Sequence, residues 1–236
     1  MATFKFNGKE YKYFVHTYND SRHNERAVEV ALALDLIKAA APDARILEIG
    51  SVLPNYLNFK HDVVDKYDCS GDTSIIRQDI VDYKPAEKYD LILSISTFEH
   101  IGWDSGAEEA EKGTGKINVA LEHTKTLLKD GGIMMITMPL GYNKELDQML
   151  KEKKLHFDEL RCIRRDDYNG WDEIDLDEAL KADYRREPCF LGMYVGTQEQ
   201  AAIIVAYTTY LVVGFVHGHK NYSLNFNAVM NTGATT

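Results

Sequence analysis

Basic charge is the first thing in short supply. The 236 residues hold 27 Lys and Arg against 37 Asp and Glu, a formal net charge of −10. Gripping a phosphate backbone needs clustered cations, so bulk nucleic acid is not expected as a partner. The local cluster of Arg161, Arg164 and Arg165 reads as a solvated strand edge before it reads as a basic patch. Cysteine is scarce too. Cys69, Cys162 and Cys189 are odd in number, scattered and without CxxC spacing, which argues against a disulfide frame or a zinc site. Reduced thiols and a cytoplasmic location are the expectation.

Long apolar runs are also missing. The longest, "AAIIVAYTTYLVVGFV" from Ala201, is too short and too rich in Thr and Tyr for a membrane span, and its β-branched residues suit strands. The N-terminal "MATFKFNGKEYKYF" has no apolar core of a signal peptide. No repeat, low-complexity linker or composition break divides the chain. With 44% hydrophobic residues, one α/β domain over 1–236 is expected, with parts at 1–43, 44–145 and 146–236.

What is present is an alternation. Val28, Ala31, Leu34 and Ile37 recur at helical spacing between Asn24 and Ala41, and Pro42 stops the pattern. "ARILEIG", "HDVVDKYD", "SIIRQDI", "KYDLILSISTFEHI" and "IMMITMP" read as five strands, with a helix in "GTGKINVALEHTKTLLKDGG". The fourth is apolar throughout its middle, as a central strand should be. "DELRCIRRD" and "AAIIVAY" are expected to pair as a terminal hairpin.

The segment "ARILEIGSVLPNY" poses the functional question. A buried strand ends in Glu48 and Gly50, as at the start of a nucleotide site, yet Val52 and Pro54 stand where further glycines would let backbone approach a pyrophosphate. No GxSxG nucleophile motif is visible either.

Glu48 and Gly50 after strand one, Asp65 after strand two, Asp79 after strand three, "YDLILSISTFEHIGW" and "LLKDGGIMMITMPLGYN" stand in the order and spacing of a known family. On these residues, over about 24 to 145, the chain resembles a class I S-adenosylmethionine-dependent methyltransferase. The resemblance implies a Rossmann-like, doubly wound, mostly parallel seven-stranded sheet with a C-terminal antiparallel hairpin. It implies S-adenosyl-L-methionine as cofactor, a ligand without phosphate that tolerates Val52 and Pro54 better than NAD would, although both side chains are expected to narrow the space above Gly50.

The resemblance also assigns roles. Asp65 would accept the ribose diol, with Asp62 or Asp68 as alternates; Glu48 and Gly50 would lie near the methionine amine. Asp79 would meet the adenine amine with Ile80 beside the ring, or else simply cap a turn. Ser94 to Thr97, with Ser96 at the centre, would bring backbone close to the methyl donor. His100 is the candidate general base, although Glu99 and His100 also fit a structural role in the pocket wall.

Other features are weaker. Tyr18, Asn19, Arg22, Asn24, Glu25 and Arg26 form a polar cluster that reads as a lid or as a solvated helix start. "GWDEIDLDEALKADY", with Trp171 and Tyr184, reads as a solvated face or as the border of an acceptor pocket. His217 and His219, two apart, lack a third ligand, and no metal is expected. The expected activity is methyl transfer to a hydroxyl or amine of a small molecule or saccharide. The alternatives are a non-catalytic methyltransferase-like partner subunit and, lower, a nicotinamide-dependent oxidoreductase. No membrane partner is expected, and oligomeric state is not legible.

Overall fold

The computed structural model describes residues 2–19, 24–102, 115–166, 170–181, 186–188, 204–206 and 210–217. Two short strands, β1 (Thr3–Phe6) and β2 (Lys9–Lys12), open the chain as an antiparallel hairpin. Its turn is Asn7–Gly8, with φ +50° and +73°, the left-handed pair that a two-residue hairpin loop demands. Helix α1 (Glu25–Ala39) follows, close to the span expected from its spacing.

The parallel part of the sheet is built next. Strands β3 (Ile46–Ile49), β4 (Asp62–Val64), β5 (Ile75–Ile76), β6 (Tyr89–Ile95) and β7 (Leu128–Pro139) pair in the order β5-β4-β3-β6-β7, all parallel. Helix α2 (Lys116–Thr126) crosses from β6 to β7. Helix α3 (Lys144–Lys151) then leads to β8 (Glu159–Arg165), β9 (Trp171–Ile174) and the single turn α4 (Leu176–Ala179).

The C-terminal strands depart from expectation. β10 (Arg186–Pro188) pairs with β11 (Ile204–Ala206) in a separate two-stranded sheet, so "AAIIVAY" is not the partner of "DELRCIRRD". That place goes to β12 (Tyr210–His217), which lies antiparallel between β7 and β8. The described main sheet therefore has eight strands, β5-β4-β3-β6-β7-β12-β8-β9, rather than seven. Residues 210–217 pair through seven residues with β7 and six with β8, which a three-residue strand from 204 to 206 cannot supply.

The two faces of the sheet carry two apolar cores, because buried strands alternate their side chains. Leu91, Leu93 and Ile95 of β6 pack with α1 (Val28, Leu32, Leu36) and the hairpin (Phe4, Phe6). Ile92, with Met134 and Ile136 of β7, packs with α2 (Ile117, Leu121) and α3 (Leu146, Leu150). This is an α/β Rossmann-like fold, and its parallel strands end together at one carboxyl edge. Among the described residues no helix is long and apolar enough to cross a membrane, and no His, Cys, Asp and Glu cluster suits a metal ion. Cys69 and Cys162 are free thiols; Cys189, Tyr184, Arg22 and His219 lie outside the described residues.

Candidate functional site

A cleft of roughly 500 Å³, open solvent included, lies where β3, β4 and β6 end. This is the crevice beyond the carboxyl ends of the strands, where open α/β sheets bind ligands. Its walls include Ile49, Gly50, Asp65, Asp79, Ile80, Thr97 and His100.

Gly50 is packed closely against Thr97 in this lining. Its φ is +86°, its N–H donates to Val64 O at 2.9 Å, and a Cβ there would stand 2.1 Å from Thr97 Oγ1. Both the backbone conformation and the space therefore require glycine. Val52 and Pro54, expected to crowd this loop, do not line the cleft. Pro54 is exposed in a 3-10 turn at Leu53–Asn55, and Val52 packs on the α1-side core.

Glu48 shows how the loop is held without further glycines. Its Oε1 accepts the N–H groups of Val52 at 2.9 Å and Leu53 at 2.7 Å, while His61 Nε2 lies 2.8 Å from Oε2. The side chain is fully buried, and burial raises its pKa against the pull of His61 and the two backbone donors. Glu48 thus braces the loop from beneath and is not among the residues lining the cleft.

Asp65 sits at the end of β4 and does line the cleft. One oxygen accepts Ser51 N and Oγ at 3.1 and 2.9 Å, and the other accepts Tyr67 N at 2.9 Å. The alternates are engaged elsewhere: Asp62 with Arg45 and Tyr89, Asp68 with Arg77 and Ser70.

Asp79 fulfils the turn-capping expectation, accepting Val81 N at 3.3 Å before the 3-10 turn Ile80–Asp82. It also faces the cleft, and there Lys116 and Lys66 reach its Oδ2 at 2.9 and 3.1 Å. Burial alone would raise its pKa, but the two ammonium groups outweigh that and hold it below the usual carboxylate range. The lysines were missed in the sequence because no motif marks them: Lys116 is simply the first residue of α2, and Lys66 a polar residue in a turn. Ile80 is buried and supplies an apolar wall beside Asp79.

Ser96 and His100 part company. Ser96 itself does not line the cleft; its hydroxyl turns toward α1, donating to Glu29 Oε1 at 2.6 Å. Thr97, the next residue, lines the cleft in its place. His100 stands on the cleft wall, its ring edge-on to Tyr142 with centroids 5.1 Å apart and Nε2 3.5 Å from Glu99 Oε1.

Other sequence candidates fall away from the cleft. Trp171 is buried in the α1-side core, where its backbone N–H donates to Tyr13 Oη at 3.0 Å, and it does not line the described cleft. Arg161 and Arg164 are paired with Glu159, Glu173 and Glu178, but β8 lies between β12 and β9, so the expected solvated strand edge is an inner strand with half-buried arginines.

No family model matches this chain, and no curated protein sequence does. Solved structures are similar in fold. The N-methyltransferase NodS from Bradyrhizobium japonicum WM9, in complex with S-adenosyl-L-homocysteine, is 14% identical with a TM-score of 0.43, over 84% of this chain and 89% of that one. A SAM-dependent methyltransferase from Archaeoglobus fulgidus is 14% identical with a TM-score of 0.42, over 82% and 94%. A TehB-like SAM-dependent methyltransferase from Corynebacterium glutamicum is 15% identical with a TM-score of 0.40, over 78% and 86%. At these values the likeness is one of fold, and the activities named are those proteins' own.

Proposed function

We propose that this cleft binds S-adenosyl-L-methionine and that the protein transfers its methyl group to a hydroxyl or amine of a small molecule or saccharide. The observation that carries the proposal is the convergence of Gly50, Asp65 and Ile80 at the carboxyl edge of the parallel strands. A bare backbone, a diol-accepting carboxylate and an apolar wall suit an amino-acid tail, a ribose and an adenine in turn. They suit a pyrophosphate poorly, because the loop offers one glycine and keeps the Val52 and Leu53 N–H groups on Glu48.

In this account Asp65 accepts ribose hydroxyls with lone pairs that Ser51 and Tyr67 leave over. Asp79 and Ile80 border the adenine, and Gly50 and Thr97 bring backbone close to the sulfonium end. Glu48 acts from beneath by shaping the loop. When bound, the cofactor would supply a methyl group already activated by its sulfonium for attack by the acceptor's lone pair. Such a donor asks for orientation and exclusion of water more than for covalent help. His100 is placed to take the acceptor's proton. The whole of 1–236 serves as one domain around this edge.

A second reading, a methyltransferase-like partner subunit that does not turn over, draws on Asp79. Two lysines and Val81 N already occupy its carboxylate, so an adenine amine must compete for what remains. Calorimetry with S-adenosylmethionine, S-adenosylhomocysteine and NAD tests both. Saturable binding of the two S-adenosyl compounds and not of NAD is expected, whereas binding of NAD alone, or of none, overturns the proposal.

A further inference from the structure

Glu29 is a wholly buried carboxylate on the apolar face of α1, among Val28, Val30, Leu32 and Ala33. An apolar side chain would fill that position without desolvating a charge, so the acid invites a reason. Its Oε1 accepts two hydroxyls, Ser96 Oγ and Thr137 Oγ1, each at 2.6 Å. Its other oxygen pairs with Arg26. Burial works against the Arg26 charge, but Glu29 and Glu25 more than restore it.

The two hydroxyls belong to the carboxyl edge of the sheet. Ser96 has φ +42°, a left-handed conformation that a non-glycine residue adopts only at a cost, and its N–H is tied to Thr137 O at 3.0 Å and Oγ1 at 3.1 Å. The turn sends the chain from β6, whose last residue Ile95 is buried, into Thr97, which lines the cleft against Gly50. The 3-10 turn Phe98–His100 starts there, with His100 N donating to Thr97 O at 3.0 Å. One carboxylate on α1 is therefore linked through Ser96 to both Thr97 and His100.

We propose that Glu29 is a positioning residue: by accepting the Ser96 and Thr137 hydroxyls it holds the left-handed turn that presents Thr97, and after it His100, to the ligand. It touches no ligand itself. The inference rests on the cleft being the S-adenosyl site, and its test separates the two.

The informative change is Ser96→Gly, because glycine adopts φ +42° freely while losing the hydroxyl that Glu29 holds. Relief of the left-handed strain should offset much of the lost hydroxyl contact, so the thermal midpoint should fall by no more than a few degrees, while affinity for S-adenosylhomocysteine falls by roughly tenfold. Amide hydrogen exchange at position 96 and at His100 should quicken. Glu29→Gln should weaken binding in the natural background and weaken it less in the Ser96→Gly background, since coupled residues are not additive. A folded Ser96→Gly protein with unchanged affinity and unchanged exchange overturns the inference, as does strict additivity of the two changes. If the unaltered protein does not bind S-adenosylhomocysteine, the functional reading fails, and exchange at position 96 and His100 then decides the positioning role alone.

Discussion

Gly50 and Thr97 meet across the carboxyl edge of β3 and β6 so closely that a Cβ on Gly50 would stand 2.1 Å from Thr97 Oγ1. Both residues line the cleft, and Gly50, at φ +86°, donates its N–H to Val64 O. Gly50→Ala should cost about 2–4 kcal/mol of stability through the strained φ and the forced shift of Thr97. Urea unfolding measures it. A loss under about 0.5 kcal/mol would mean that Thr97 moves aside easily.

Glu48 was expected beside the ligand, and the structure instead places it under the loop. The distinction is testable because glutamine keeps an oxygen for the Val52 and Leu53 N–H groups and alanine does not. Glu48→Gln should stay within about 1 kcal/mol of the natural protein and keep S-adenosylhomocysteine affinity. Glu48→Ala should lose about 3–5 kcal/mol, from a buried and a half-buried donor left unpaired and a cavity. A stable Glu48→Gln protein that no longer binds would return Glu48 to direct contact.

The strands, α1 and the site-bearing edge were legible because buried parallel strands are short apolar runs and helices show their period. Gly50, Asp65, Asp79, Ile80 and His100 were assigned through the family resemblance at the strand ends, and all five line the cleft. Glu48 and Ser96 share those strand ends but turn away, since side chains alternate and register cannot be read from a strand's last residue alone. The Asn7–Gly8 hairpin carried a signal that went unused. The pairing of β12 between β7 and β8 carried none: it depends on which of two apolar segments is longer and better placed in three dimensions.

His100 separates chemistry from architecture. His100→Gln should lower turnover by roughly 10²–10⁴ while leaving S-adenosylhomocysteine affinity nearly intact, with the residual rate rising at high pH as the acceptor ionises unaided. Release of S-adenosylhomocysteine from a panel of hydroxyl and amine acceptors provides the assay. Full turnover by the variant leaves proximity and desolvation as the whole mechanism.

Asp147 gives a pH signature. Burial pushes its carboxyl from 3.8 up to about 6, opposed by the Gly141 N–H it accepts. A raised folded pKa favours the protonated carboxyl, so its contribution is complete below the unfolded value and is lost as pH climbs through about 6. Asp147→Asn should therefore gain thermal midpoint over the natural protein between pH 4 and 7, with the difference constant below pH 4. A difference that does not change over that range would show that Asp147 ionises in the folded protein as readily as in the unfolded chain.

The central claim is that an S-adenosyl ligand occupies the edge formed by β3, β4 and β6. Titrating S-adenosylhomocysteine into isotope-labelled protein and following backbone amide resonances tests it residue by residue. Saturable shifts centred on Gly50, Asp65, Ile80 and Thr97, with β8 and β9 unmoved, are the predicted result. No saturable shift, or shifts centred away from these four residues, would contradict it.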